Sequence, residues 1–262
     1  MYEIQTYLGA DGLMHCTVCK EPVEAFYPKG SLLEMRKHHR QCACERKAYA
    51  EEAQYYKEKE HRELIARNKK ICFEEKEMEE FTFQNVERDS GVIRIAEEYV
   101  TNWQKMKQNH MGYLFWGPVG TGKSYLAACI ANALLEQEVT VKMTNFNTIL
   151  NDLFAAEDKT GYIRVLNRYE LLIIDDLGVE RSSGYALENI FSVIDWRYRS
   201  GKPLIITTNL PLAQLKQETK IEKKRIYDRI LERCIPVKID GASRREAIAN
   251  DNMQTMKNIL KI

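Results

Sequence analysis

With 262 residues, 44% of them hydrophobic, the chain can bury one substantial core and a smaller module, so two domains are expected. A formal net charge of +1 from 39 basic and 38 acidic residues excludes a composition-wide attraction to nucleic acid or to a membrane surface, and makes any charged binding face local. No apolar run reaches the roughly eighteen residues a membrane span needs, and the start MYEIQTYLGADG lacks a basic stretch followed by an apolar one, so insertion and export are both disfavoured.

Residues 1–44 form a turn-rich module in which Gly9, Gly12, Pro22, Pro28 and Gly30 interrupt short apolar stretches. It holds Cys16-Thr-Val-Cys19 and Cys42-Ala-Cys44, two close thiol pairs that suit tetrahedral zinc presented from two hairpin-like turns. The metal would be structural, replacing a core too small to hold itself together, with His15, His38 and His39 as alternative ligands. The remaining cysteines, Cys72, Cys129 and Cys234, are scattered, and an odd total of seven fits reduced thiols in the cytoplasm. The basic stretch from Arg36 to Arg40 reads as a solvated face or a nucleic-acid contact.

Residues 45–80 contain no proline or glycine and alternate acids with bases, which predicts a charged helical linker with too few apolar positions to be core. Residues 81–262 change texture: apolar runs alternate with amphipathic segments, the pattern of an α/β domain with a mostly parallel sheet flanked by helices. Five strands are expected, near Tyr113–Trp116, Val139–Thr144, Leu171–Asp175, Leu204–Thr208 and Pro236–Ile239.

The first strand runs into Gly117-Pro118-Val119-Gly120-Thr121-Gly122-Lys123-Ser124, the full phosphate-loop pattern, followed by the helical run that opens with Ser124 and Tyr125. Its glycines let backbone N–H groups close around phosphate oxygens at a helix start whose dipole is positive. Lys123 would reach the β- and γ-phosphates of ATP, and Ser124 would offer a hydroxyl to magnesium. About fifty residues on, LLIIDDLG ends an apolar strand in two carboxylates: Asp175 suits a magnesium-holding acid and Asp176 a water-polarising one. Asn209, at the tip of PLIITTNL, would bridge the attacking water and the γ-phosphate, or else serve the turn before Pro211.

In order and spacing, GPVGTGKS, LLIIDDLG, ITTNL, RIYDRILERC and GASRRE resemble the bacterial and phage DnaC/DnaI-type replicative helicase loaders and the related IstB transposition ATPases, over roughly residues 81–250. The resemblance implies an AAA+ ATPase of the initiator branch, with a strand between the two Walker strands and ATP held between subunits of an oligomer such as a hexamer. FTFQNV resembles a lead-in lying close to the adenine. An arginine from the adjacent subunit corresponds to Arg225 or Arg229, with Arg225 favoured, and a later arginine contributed in cis corresponds to Arg245 or Arg244, with Arg245 preferred. Asp176 replaces the glutamate commoner in the wider class and is one methylene shorter, which predicts slow basal hydrolysis.

Residues 146–169 fall where initiator-type ATPases insert an extra helical element. Lys142 just ahead of this segment, with Lys159, Arg164 and Arg168 within it, would follow the backbone of single-stranded DNA. Phe146, Phe154 and Tyr162 would stack bases, although core packing is the simpler role for them. The resemblance implies a loader that binds a DnaB-type replicative helicase and delivers it to single-stranded DNA, with ATP hydrolysis as a switch. The alternatives are an IstB-like helper that remodels duplex DNA with a transposase, and a nucleotide-dependent binding module with negligible hydrolysis. The cysteine module favours the loader, because the IstB pattern does not call for it.

Overall fold

The computed structural model describes residues 5–33, 36–85, 91–178 and 183–260, and divides the chain into two compact units, Met1–Leu64 and Ile65–Ile262. In the first unit, β1 (Thr6–Leu8) pairs antiparallel with β2 (Met14–Cys16), and β3 (Glu24–Phe26) pairs antiparallel with β4 (Lys37–His39). Among its described residues the buried apolar ones are Cys16, Val23 and Cys42, with Met14, Cys19 and Cys44 packed against them. A core this small does not offset the entropy of ordering the chain around it.

Helix α1 (Ala43–Cys72) begins on the last cysteine pair and, at 30 residues, extends about 45 Å. The expectation of helix through Glu80 is therefore corrected: the α-helix ends at Cys72, and a 3-10 turn over Lys76–Glu80 follows. No proline or glycine marks the break. It arises because Cys72 and Phe73 turn into the core of the second unit while the Glu74 carboxylate accepts from the Thr144 and Thr148 hydroxyls at 2.7 and 3.0 Å.

The second unit continues with α2 (Gly91–Thr101), α3 (Trp103–Gln108), β5 (Gly112–Trp116), α4 (Lys123–Leu135), β6 (Val141–Asn145), α5 (Phe146–Ala155) and α6 (Lys159–Leu166). Then come β7 (Leu171–Leu177), α7 (Gly184–Ser200), β8 (Leu204–Thr208), α8 (Leu212–Lys216), α9 (Ile221–Arg233), β9 (Cys234–Lys238) and α10 (Arg244–Leu260). The five strands form one parallel sheet in the order β6-β7-β8-β5-β9, so β8 lies between the strand that leads into the phosphate loop and the strand that carries the acid pair. The last strand starts at Cys234 rather than Pro236. Pro236 is tolerated because β9 is an edge strand and needs ladder bonds on one side only.

Both faces of the sheet are covered, as the near-continuous apolar strands require. Phe115, Leu171, Ile173 and Ile205 point to the layer of α2, α3 and α4, while Leu114, Leu172, Ile174 and Ile206 point to α5, α7 and α9. Alternation along each strand divides the side chains between two cores. Arg197, 1% exposed, ties the lower end of the sheet together: its guanidinium donates to the carbonyls of Tyr169, Glu170 and Pro203 ahead of β7 and β8. No helix of the described residues is long and apolar enough to cross a membrane.

Candidate nucleotide-binding site and cysteine cluster

The phosphate loop follows directly from the end of β5, and its backbone explains the glycines. Gly117, Gly120 and Gly122 adopt φ of 148°, 82° and 93°, a region that side-chain-bearing residues rarely occupy. A Cβ on Gly120 would stand 2.2 Å from the Ser243 hydroxyl, and one on Gly117 would stand 2.1 Å from the Ile239 carbonyl oxygen, so the loop is pressed against the segment between β9 and α10. The Arg244 amide donates to the Gly120 carbonyl at 2.9 Å, joining the start of α10 to the loop.

Lys123 opens α4 and is 5% exposed. Its ammonium donates to the carbonyls of Gly117 and Pro118 at 3.0 and 2.7 Å, folded back onto the loop that it would leave to meet a phosphate. Burial lowers its pKa, against the pull of Asp176 and Asp175, and the nearby charge of Arg245 lowers it further. The Thr121 hydroxyl donates to the Pro118 carbonyl at 2.9 Å.

Asp175 and Asp176 stand at the upper end of β7. The Asp175 carboxyl is pushed above its ordinary pKa by burial, while hydroxyl donors on Thr207 and Ser124 favour its charged form. Asp176 adopts φ of 57°, and its amide donates to the Thr207 hydroxyl at 2.9 Å, so one hydroxyl orients both acids. Asn209, just beyond β8, donates to the Asp176 carboxylate at 3.4 Å. Thr207 drew no attention in the sequence, since a threonine inside an apolar strand reads as core.

These elements enclose a cavity of about 460 Å³ lined by residues that include Val119, Lys123, Ser124, Asp176, Asn209, Arg244 and Arg245. Glu75, Glu77, Met78 and Phe81 form its remaining wall. A recess of about 240 Å³ adjoins it through Gly122, Tyr125 and Arg244, with apolar walls from Val92, Ile93, Leu126 and Ile239. Phe81 stacks on Tyr125 at 4.4 Å, the Tyr125 hydroxyl donates to the Thr82 carbonyl at 3.2 Å, and buried Asn132 donates to the carbonyls of Met78 and Phe81. The lead-in is thereby clamped to α4, and the part of it that falls on residues 86–90 lies outside the described residues.

Both later arginines reach the cavity. Arg225 and Arg229 do not line it, and they differ from each other. Arg229 is 2.7 Å from the carboxylate of largely buried Asp195, whereas Arg225 is exposed, stacks 4.3 Å from the Phe191 ring and has no ion pair among the described residues.

The four cysteine sulfurs of Cys16, Cys19, Cys42 and Cys44 lie within 4.8 Å of one another, close to the S···S spacing of about 3.8 Å in a tetrahedral thiolate site. Backbone N–H donation, first from Glu21, draws the Cys19 thiol down to about 6, while desolvation pushes Cys44 up to about 11. A soft thiolate set of this kind fits zinc. The alternative histidines are engaged elsewhere: His15 with the Lys20 carbonyl and Asp11, His38 with the His39 carbonyl, and His39 with Glu45.

Of the candidate DNA residues, Phe146 is buried core, as is the simpler expectation for it. Phe154 departs from that expectation at 80% exposure, edge-on to Tyr185, whose ring carries the Lys159 ammonium at 4.9 Å. Tyr162 is half-buried and donates to Asp152, and Lys142 is spent on the Ile71 carbonyl.

A glycine-shaped phosphate loop at a helix start, an acid pair at the end of a strand two positions away in a five-stranded parallel sheet, and arginines entering from the helix after the last strand define a P-loop nucleotide-binding fold of the AAA+ class. The model of the IstB-like ATP binding proteins matches residues 48–251, and the chain belongs to that family. The replicative helicase loader DnaC of Escherichia coli strain K12 is 29% identical over 149 residues, covering 55% of this chain and 58% of its own length. The loader DnaI of Bacillus subtilis strain 168 is 23% identical over 180 residues, covering 63% of this chain and 58% of its own length. The chain thus spans little more than half the length of these relatives. A crystal structure of DnaI superposes with a TM-score of 0.58 at 24% identity, covering 68% of this chain and 99% of that one, and shares the fold.

Proposed function

We propose that this protein is an ATP-controlled loader that binds a DnaB-type replicative helicase and delivers it to single-stranded DNA. The observation that carries the reading is the convergence of Lys123, Ser124, Asp176, Asn209, Arg244 and Arg245 on one cavity, in a family of ATP-binding proteins with loader relatives.

In this reading the adjoining apolar recess takes the base, the loop amides and Lys123 hold the phosphates, and Ser124 with Asp175 forms the hard oxygen set that suits magnesium. When bound, the divalent ion supplies charge neutralisation to the phosphates. Asp176, turned by its positive φ toward Asn209, orients the attacking water, and its short side chain keeps basal hydrolysis slow. Arg244 and Arg245 sense the nucleotide from the start of α10, and Arg225 acts on the site of a neighbouring subunit. Zinc on the four cysteines holds the first unit together and so preserves the surface that grips the helicase. Phe154, Tyr185 and Lys159 offer an exposed aromatic and cationic platform of the sort that stacks and neutralises single-stranded DNA.

The family's own description also fits an IstB-type helper that works with a transposase on duplex DNA. The family match begins at residue 48, beyond the cysteine pairs, and that module is what tips the balance toward a loader. Co-purification with the replicative helicase of the same host, for the wild type, Lys123→Ala and Cys16→Ser, tests the choice. The loader reading predicts helicase association that Cys16→Ser abolishes and that Lys123→Ala uncouples from ATP. Absence of association in every nucleotide state would transfer the case to the transposition helper.

A further inference from the structure

The lower end of the sheet, where β8 begins and α9 ends, carries a second and smaller cleft. Four cations line it beside Tyr198: Arg197 from α7, Lys202 just ahead of β8, and Arg229 and Arg233 from α9. Among the described residues no carboxylate does. Buried Arg197 spends its guanidinium on three backbone carbonyls and meets no acid, and burial draws its pKa down to about 9. Lys202 donates to the carbonyls of Asn167 and Arg168, and burial, then the Arg197 charge, lowers its pKa as well. The acids nearest by are engaged: Asp195 is shared by Arg199 and Arg229, Glu232 accepts from the Tyr198 hydroxyl, and Glu170 pairs with Lys107. Arg233 rests 4.6 Å from the Tyr198 ring and has no ion pair among the described residues.

The decisive feature is a pair of donors. The Nε atoms of Arg229 and Arg233 are both buried and both lack an acceptor among the described residues. A guanidinium N–H that has left water without gaining a partner is rare in native proteins, and two of them on one cleft ask for a negative charge. We infer that this cleft is a binding site for a single chloride ion. Its narrow part, about 10 Å³ inside about 240 Å³ that opens to solvent, admits one water-sized atom, so a monatomic anion fits there and a tetrahedral oxyanion does not. The ion accepts from the two Nε–H groups and offsets the charge of Arg197 and Lys202 behind them. Because those groups belong to α9, α7 and the entry to β8, an occupied site ties α9 to the sheet at the end opposite the phosphate loop. Nothing in this inference depends on the nucleotide-site reading.

Thermal unfolding of the full chain at fixed ionic strength tests it, with sodium chloride replacing sodium gluconate in steps. Wild-type Tm should rise saturably, by about 3–6 °C once chloride exceeds its Kd about tenfold. Bromide should act as chloride does, and anomalous diffraction from crystals grown in bromide should place an ion between Arg229 and Arg233. Arg233→Met keeps an apolar stem over Tyr198 and removes the donor, so it should abolish the chloride-dependent rise. Lys123→Ala should keep that rise, which separates this cleft from anion binding at the phosphate loop. A wild-type Tm indifferent to chloride, an undiminished rise in Arg233→Met, or a rise that vanishes in Lys123→Ala each overturns the inference. Should Arg233→Met fail to fold, the bromide position decides alone, and crystals without bromide in this cleft overturn the inference too.

Discussion

Thr207→Val removes one hydroxyl and almost no volume, and it probes how the two acids of β7 are held. Thr207 is fully buried; its hydroxyl donates to the Asp175 carboxylate and accepts from the Asp176 amide. Valine leaves that amide without an acceptor, at a residue already at φ of 57°. A buried unsatisfied N–H costs about 1–3 kcal/mol, and for a unit of this size about 2 kcal/mol lowers Tm by about 4–8 °C.

The second effect of Thr207→Val is electrostatic. Burial holds the folded Asp175 pKa above its unfolded value, so the carboxyl contributes stability that is present in acid and is lost as pH rises through the folded pKa. Removing the Thr207 donor raises that pKa further. Magnesium needs the ionised carboxylate, so the pH at which magnesium-dependent nucleotide affinity is half lost should move upward by about one pH unit. Thermal unfolding, together with fluorescent-nucleotide titrations across pH, reads both effects, and Thr207→Ser should restore them. A valine variant with wild-type Tm and an unmoved pH midpoint would refute the reasoning.

Other variants separate structural roles from functional ones. Arg229→Ala removes one of two cations that pair with largely buried Asp195, leaving Arg199 at 2.8 Å, and should cost about 1.5–3 kcal/mol in urea unfolding, whereas exposed Arg225→Ala should stay within about 0.5 kcal/mol of wild type. Gly120→Ala combines φ of 82° with a Cβ 2.2 Å from the Ser243 hydroxyl, so it should shift the start of α10 and weaken nucleotide binding by about tenfold, measured by calorimetry. Metal analysis should find one zinc per chain, and chelation or Cys42→Ser should unfold the first unit while the circular dichroism melt of the second persists. Asn132→Ala removes the donor shared by the Met78 and Phe81 carbonyls and should speed hydrogen exchange over residues 76–83 without altering the sheet.

What could be read from the sequence was whatever is local along the chain. The phosphate loop, the acid pair and the cysteine pairs are contiguous signatures, and apolar runs located all five strands, with the last displaced because Pro236 sits inside an edge strand instead of opening it. What could not be read depends on groups distant in sequence. Thr207 acquires its role from β7, about thirty residues earlier, and α1 stops at Cys72 because of a core that its own sequence does not mention. Phe154 is exposed although its neighbours on α5 are core, since helical periodicity separates it from Phe146, Ile149 and Leu153. Arg225 and Arg229 look alike as two turns of one helix, and only the position of Asp195 on α7 tells them apart.

The loading role proposed for this protein requires that the cavity beside Lys123 take up a nucleoside triphosphate. Isothermal titration of the folded protein with ATP and magnesium tests that directly: it predicts one saturable site, lost in Lys123→Ala and weakened when magnesium is withdrawn. Absence of nucleotide-dependent heat from folded wild-type protein, or undiminished binding by Lys123→Ala, would contradict it.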